Sequence, residues 1–342
     1  MNAVTQKEKL TAKDFATDQE VRWCPGCGDY AILKAMQKAM ADMGQSTEDN
    51  VFVSGIGCAA RFPYYMATYG FHTIHGRAQA FATGIKLANP DLNVWVVGGD
   101  GDMLSIGANH LMHVLRRNVD LQVLLFNNEI YGLTKGQYSP TSREGTKSPS
   151  TPLGSVDRPI DACTYALGAG ATFIARGIDS QQKHLPGIFQ AASEHKGASF
   201  VEVLQNCIVY NDGVFNEFTD RDVAADRQVH VEAGKPLIYG ADGNKGIRLN
   251  LKTLSLEEVV VGENGVTEAD LLVHDPSNHT LAGMLAAMNG RDLPVALGVL
   301  YCSREETYEA AVHDQINAAK SSAKITNFND LLRTGHTWVA GG

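Results

Sequence analysis

Residues 94–133 read VWVVGGDGDMLSIGANHLMHVLRRNVDLQVLLFNNEIYGL, and this stretch decides how the rest of the chain is understood. Residues 94–97 and 121–126 are short apolar runs, β-branched or leucine-rich. Each stops at a polar loop, as strands buried on both faces of a parallel sheet do. Between them Ala108, Leu111, Met112 and Leu115 recur at helical spacing, which gives the connection one apolar face and completes a βαβ unit. Both strands then end on the same edge of the sheet, one at Gly99-Asp100-Gly101-Asp102 and the other at Asn127-Asn128-Glu129-Ile130. Ligands of open parallel sheets bind outside the carboxyl ends of the strands, so Asp100 and Asn128 are placed to converge on one ligand. The expected fold class is α/β, a predominantly parallel sheet flanked by helices.

A carboxylate, a side-chain amide and glycines together suit Mg²⁺, which takes hard oxygen ligands from one or two side chains and the rest from phosphate and water. Glycine lets backbone approach phosphate oxygens, and a helix opening near Ser105 offers N–H groups to an anion. Here the stretch resembles the thiamine diphosphate family, whose signature is GDG followed about two dozen residues on by NN. The resemblance implies Mg²⁺ held by Asp100, the Asn128 side chain and the Ile130 carbonyl. It also implies a diphosphate bordered by Gly101, Asp102, Gly132 and Leu133. A calcium loop of EF-hand type starts acceptably at Asp100 and Asp102 but fails at Leu104 and Leu111, where oxygen ligands are needed.

At 342 residues, with 44% hydrophobic and 20% charged residues, the composition is that of an ordinary globular chain. The formal charge of −9 argues against nucleic acid as a partner. The first twenty residues have no apolar core for a signal peptide and no run approaches a membrane span, so a cytoplasmic protein is expected. In that reducing compartment any of the six cysteines that cluster point to metal or redox chemistry rather than disulfides.

In chain order, a polar arm over residues 1–22 precedes Trp23-Cys24-Pro25-Gly26-Cys27-Gly28-Asp29, a tight CPGC turn. A helical pattern follows over 30–43, with Asp29 as its expected N-cap. Alone, a CxxC is ambiguous among redox, zinc and iron–sulfur uses. A strand over 51–54 leads into Gly55-Ile56-Gly57-Cys58-Ala59-Ala60-Arg61, which matches GxGxxA. A dinucleotide fingerprint also wants an acidic residue some twenty positions on, yet no Asp or Glu lies between Arg61 and Pro90. Next come a loop carrying His75 and Arg77, a helix over 78–87, and beyond the central unit a Ser, Thr and Pro-rich segment to Pro159, read as a surface loop or a lid. Helices over 161–167 and 181–195 alternate with strands over 172–175 and 200–204, the last running into Gln205-Asn206-Cys207. Further on, 250–254 and 257–261 are expected to pair, 271–288 to be partly helical and 295–301 to be a strand. Cys163 and Cys302 read as ordinary buried thiols.

Cys58 and Cys207 thus follow strands at the rim that carries the central motif, and the CPGC turn could fold over them. Four thiolates suit a [4Fe–4S] cube, and structural zinc would accept the same four, although zinc sites usually use two close ligand pairs. WCPGCGDY, GIGCAARFPYY, HTIHGRAQAFATGIKLANP, GGDGD, NNEIYGLTKGQYSPTS and the late Cys207 together resemble the beta subunit of the 2-oxoacid:ferredoxin oxidoreductases, over roughly residues 23–210. The resemblance implies a [4Fe–4S] cluster on Cys24, Cys27, Cys58 and Cys207. It sets Ile56, Gly57, Cys58, Ala59 and His75 along the thiamine diphosphate. Lys135 and Arg61, with His75, are the expected substrate or catalytic contacts.

The implied activity is coenzyme A-dependent oxidative decarboxylation of a 2-oxoacid with electrons passed to ferredoxin, reversible toward CO₂ fixation. Lys135 in TKGQ suggests a cation for a second carboxylate, favouring 2-oxoglutarate, converted to succinyl-CoA and CO₂. Pyruvate or broad specificity, a non-redox thiamine-dependent decarboxylase and a zinc-bearing scaffold are the alternatives. Only the diphosphate half of a thiamine site is legible, so an alpha subunit is expected to supply the rest, in a heterotetramer. The expected domains are the arm 1–22, a thiamine diphosphate and iron–sulfur domain over 23–233, and a C-terminal extension over 234–342 packed on that domain or on the partner.

Overall fold

The apolar runs become the centre of a sheet in the computed structural model, which describes residues 10–325 and 327–341. β1 (Asn50–Ser54), β2 (Tyr69–His72), β3 (Asn93–Gly99) and β4 (Leu121–Asn127) lie in the order β2-β1-β3-β4. Beyond β4 the sheet continues through Ala198–Leu204, Phe173–Ile178, Val295–Cys302 and Gln228–His230. Neighbours are parallel except Val295–Cys302 against Phe173–Ile178. β1 to β4, Phe173–Ile178 and Ala198–Leu204 therefore all deliver their carboxyl ends to one rim.

Side chains alternate across the sheet, and both faces are covered. Val51, Val53, Val94, Val96 and Val123 face α2 (Ala78–Ala88), α3 (Ala108–Arg116) and the helix Ala162–Gly168. Phe52, Trp95, Val97 and Phe126 face α1 (Asp29–Asp42) and Leu185–Glu194. On that second face Phe52 stacks on Trp95 with centroids 6.0 Å apart, and Phe62 meets Phe126 edge-on at 5.7 Å. Each such fully buried side chain stabilises by ~1.5–3 kcal/mol, so the rim loops stand on a rigid base.

Several sequence expectations shift. Gly28, not Asp29, occupies the N-cap of α1, without a side-chain cap; Asp29 is buried inside the first turn. The helix after β3 opens at the GDG itself, five residues before Ser105, as a π-turn over Asp102–Ile106 that runs into α3. π-turns recur at functional sites because they re-aim a few side chains. β2 is an exposed edge strand, its Tyr69 and Phe71 turned to solvent rather than to the core. In the 250–254 run only Asn250 is strand and 251–254 form a turn, with Leu251 and Leu254 exposed; the paired strands are Lys245–Asn250 and Ser255–Val260. Within 271–288 the helix is His279–Ala287, capped by the Asn278 side chain. Val295–Cys302 belongs to the main sheet. Of the arm, residues 1–9 lie outside the described residues, while Phe15 is buried and Arg22 N–H donates to the Tyr65 hydroxyl at 2.8 Å. No helix among the described residues is long and apolar enough to cross a membrane.

Candidate active site

At the rim, the loops after β1, β2, β3 and β4 line a half-open pocket with a free volume of about 60 Å³. Ile56 to Ala59, His75, Asp100 to Asp102, Asn128, Ile130, Gly132 and Leu133 all line it, so the residues expected at the magnesium and the thiamine are brought together. Asp100 is buried, and its Oδ2 accepts from the hydroxyls of Ser139 at 2.5 Å and Thr141 at 2.6 Å. Burial pushes its carboxyl up to about 6 against the pull of those hydroxyls. A buried carboxylate held on one oxygen leaves the other for a cation, and a divalent ion there would favour the ionised form. Asn128 turns its Nδ2 toward Gln205 Oε1 at 2.7 Å, and its Oδ1 accepts the Ile130 N–H at 3.2 Å. With the Ile130 carbonyl, these are hard oxygen donors of the kind Mg²⁺ takes.

Asp102 plays a different part from Asp100. Its Oδ1 accepts from Ile56 N–H at 3.1 Å, from Gly76 N–H at 2.8 Å and from Nδ1 of His75. One buried carboxylate thus ties the loops after β1 and β2 to its own, and its Oδ2 sits without a partner against Gly55, where a Cβ would come within 2.1 Å. The His75 ring is held at the cavity wall by that contact.

Beside this pocket lies a larger hollow, with a free volume of about 280 Å³, lined by Cys24, Cys27, Cys58 and Cys207 together with Arg61 and Lys135. Asp29, Cys58, Asn128, Gly132 and Leu133 line both spaces. The CPGC turn closes through Cys27 N–H to the Cys24 carbonyl at 3.0 Å, with Gly26 at φ +85, a left-handed conformation that favours glycine. Gly28 N–H donates to the Asn206 carbonyl at 3.2 Å, and the Trp23 indole N–H to the Cys58 carbonyl at 2.7 Å, so the turn is folded over the other two loops. A Cβ on Gly132 would stand 3.5 Å from Cys207 Sγ and 3.6 Å from Cys58 Sγ. Among the described residues no three Cys, His, Asp or Glu side chains converge on a single ion. Four thiols around a hollow suit a multi-iron group better than one zinc, whose tetrahedral shell at about 2.3 Å per sulfur is far smaller. Burial, then the nearby Asp29, pushes the Cys58 thiol up to about 12 and Cys27 in the same direction, so a bound metal would have to displace their protons.

Arg61 donates from Nε to the Tyr65 hydroxyl at 2.9 Å and lies over the Tyr64 ring. Lys135 has a positive φ of 78, rare for a side chain of this type. Cys163 is buried and donates to Glu202 at 3.2 Å, apart from the other thiols, while Cys302 lies near His195.

Sequence reasoning missed Ser139 and Thr141, because a Ser, Thr and Pro-rich segment reads as loop. Its first residues are instead buried against Asp100. It also missed Tyr131, whose hydroxyl donates to the Gly101 carbonyl at 2.9 Å, and Asp179, which accepts from Asn206 N–H at 2.8 Å. Nothing local in the sequence marks either.

Residues 55–203 match the family described as thiamine pyrophosphate enzyme, C-terminal TPP binding domain. The chain is 45% identical over 341 residues to 2-oxoglutarate oxidoreductase subunit KorB of Mycobacterium tuberculosis, covering 98% of this chain and 90% of that protein. It is 50% identical over 204 residues to 2-oxoacid:ferredoxin oxidoreductase 1, subunit beta, of Aeropyrum pernix, covering 60% of this chain and 64% of that one. Among solved structures, the 2-oxoglutarate:ferredoxin oxidoreductase from Magnetococcus marinus with 2-oxoglutarate, coenzyme A and succinyl-CoA bound superposes with a TM-score of 0.77. The identity there is 31%, over 97% of this chain and 98% of that chain. With a relative this similar along nearly its whole length, and the glycine, carboxylate and thiol loops meeting at one rim, the chain belongs to the beta subunits of the 2-oxoacid:ferredoxin oxidoreductases.

Proposed function

We propose that the chain, with an alpha subunit in a cytoplasmic heterotetramer, carries out coenzyme A-dependent oxidative decarboxylation of 2-oxoglutarate to succinyl-CoA and CO₂, reversibly, with ferredoxin as electron partner. One observation carries this reading. The cavity of Asp100 and Asn128 and the hollow of Cys24, Cys27, Cys58 and Cys207 share a wall at Cys58, Asn128 and Gly132. In this reading Asp100, Asn128 and the Ile130 carbonyl hold Mg²⁺, Gly101, Asp102, Gly132 and Leu133 border the diphosphate, and the four cysteines ligate a [4Fe–4S] cluster. Bound there, thiamine diphosphate supplies the electron sink that a 2-oxoacid lacks, and the cluster supplies one-electron transfer.

The chain's own residues do the placing. Ser139 and Thr141 hold Asp100 so that one carboxylate oxygen is left for the cation. Asp102 fixes the His75 ring through Nδ1, which leaves Nε2 to exchange a hydrogen bond with substrate. Of the three cations that line the hollow, Arg22 is paired with Glu20, and Lys135 and Arg61 have no carboxylate partner among the described residues, one cation more than a monocarboxylate requires, which favours a dicarboxylic oxoacid. The test is 2-oxoacid and coenzyme A-dependent ferredoxin reduction by the co-purified complex, with iron and acid-labile sulfide assayed on the same sample. 2-Oxoglutarate should be used in preference to pyruvate and branched 2-oxoacids, with about four irons and four sulfides per chain. An iron-free complex, or full activity from this chain alone, would overturn the reading.

A further inference from the structure

Gln205 directly follows the strand Ala198–Leu204 and is buried, with 1% of its surface exposed. Its amide lies at the edge of the cysteine hollow and reaches Asn128, which lines both spaces. Nε2 donates to the Asn206 carbonyl at 2.7 Å and to Cys27 Sγ at 3.2 Å, while Oε1 accepts from Asn128 Nδ2 at 2.7 Å. The orientation is dictated, because a backbone carbonyl can only accept and so draws the nitrogen to the Cys27 side. The oxygen then faces Asn128, which must answer with its NH₂ and keep its own Oδ1 for the Ile130 N–H and for a cation. Gln205 N–H, donating to the Asn127 carbonyl at 2.8 Å, fixes the residue from the backbone as well.

We propose that Gln205 is a positioning residue that joins the two cofactor seats, donating to a cluster thiolate at one end and setting the Asn128 amide for magnesium at the other. This rests on the cofactor assignment above. A donor to a ligating sulfur favours the reduced, more negative state of a cluster, so its removal lowers the midpoint potential. An acceptor lost from Asn128 frees that amide to rotate and weakens the hold on magnesium.

The experiment compares Gln205→Leu and Gln205→Glu with the unsubstituted complex. It reads iron and sulfide content, the cluster midpoint by potentiometric titration followed by electron paramagnetic resonance, and the dissociation constant for Mg²⁺ in the presence of thiamine diphosphate. In both variants the equilibrium constant for one-electron reduction should fall about tenfold, which is ~59 mV. Mg²⁺ binding should weaken on the order of tenfold in Gln205→Leu and less in Gln205→Glu, which keeps the oxygen that Asn128 needs. An unchanged midpoint with the irons retained overturns the proposal. Loss of iron from both variants overturns it too, since Gln205 would then hold the loop rather than tune the sulfur. A lack of iron in the unsubstituted complex is a separate outcome, seen before any variant is made, and removes the cluster assignment itself.

Discussion

The ring of Tyr131 occupies the space that a side chain on Gly101 would need, with a Cβ there falling 2.1 Å from its Cε1, while its hydroxyl donates to the Gly101 carbonyl at 2.9 Å. The glycine of GDG is therefore required from behind, by an aromatic ring from the next loop, as well as by any ligand in front. Gly101→Ala should displace Tyr131 and shift the loop by an ångström or so, weakening thiamine diphosphate binding on the order of 100-fold. Tyr131→Phe keeps the ring and loses one hydrogen bond, a cost of about 1 kcal/mol. Calorimetric titration of the complex with thiamine diphosphate and Mg²⁺ checks both; equal affinities for Gly101→Ala and the parent would refute the contact.

Asp100 ties the site to pH. Its folded-state carboxyl sits at about 6, above the ordinary 3.8, chiefly through burial. A raised carboxyl binds its proton more tightly folded than unfolded, so this contribution to stability is complete below about pH 4 and is lost as pH rises through 6. The metal-free protein should lose up to ~3 kcal/mol from this group by pH 8. Asp100→Asn should remove that slope and, with it, the stabilisation by Mg²⁺. Urea denaturation at pH 4 and pH 8, with and without Mg²⁺, measures both. A metal-free Asp100→Asn protein whose stability relative to the parent is the same at the two pH values would contradict the buried, proton-holding carboxyl.

The parts of the site that lie beside a strand end were legible in the sequence, because a short apolar run fixes where a loop begins and a parallel sheet fixes which rim it joins. Asp100, Asn128, Cys58 and Cys207 were all found that way, and they line adjoining spaces. What supports them was not legible. Ser139 and Thr141 reach Asp100 across 39 and 41 residues, and Gln205 reaches Asn128 across 77. Hydrogen bonds of that span leave no periodicity. The same limit explains β2 and the turn at 251–254, where exposed aromatic and leucine side chains break the link between apolar residue and burial.

Lys135 offers a test of substrate choice. It lines the hollow with Arg61, on a backbone held at positive φ. Lys135→Ala should raise KM for 2-oxoglutarate about tenfold, the worth of one partly exposed charge-assisted hydrogen bond, while leaving pyruvate turnover within about twofold. Steady-state kinetics of the complex on both acids decides it. A parallel loss on both acids would assign Lys135 to the loop's conformation instead of to the second carboxylate.

Beneath the site, Arg176 and Glu202 form a buried pair on neighbouring strands, Nε to Oε2 at 2.6 Å, with 1% and 3% of their surfaces exposed. The remaining guanidinium nitrogens donate to the carbonyls of Met288 and Ala286, each at 2.9 Å, and Glu202 Oε1 accepts from Asn127 Nδ2 at 2.8 Å. The pair thus ties the last helix before Val295–Cys302 to the residue next to Asn128. Taking two charges out of water costs about as much as their attraction returns, so the pair adds little net stability while both members stay. Removing one is different, since the other is left charged and dry. Arg176→Met should cost about 3–5 kcal/mol. Adding Glu202→Gln should restore part of it, because a neutral amide no longer needs the guanidinium and can still accept from Asn127. Denaturant midpoints of the two single variants and the double variant give the coupling directly. Strictly additive losses would mean that the two side chains act on stability separately, and the link from the distal helix to the Asn127-Asn128 corner would have to run through another contact.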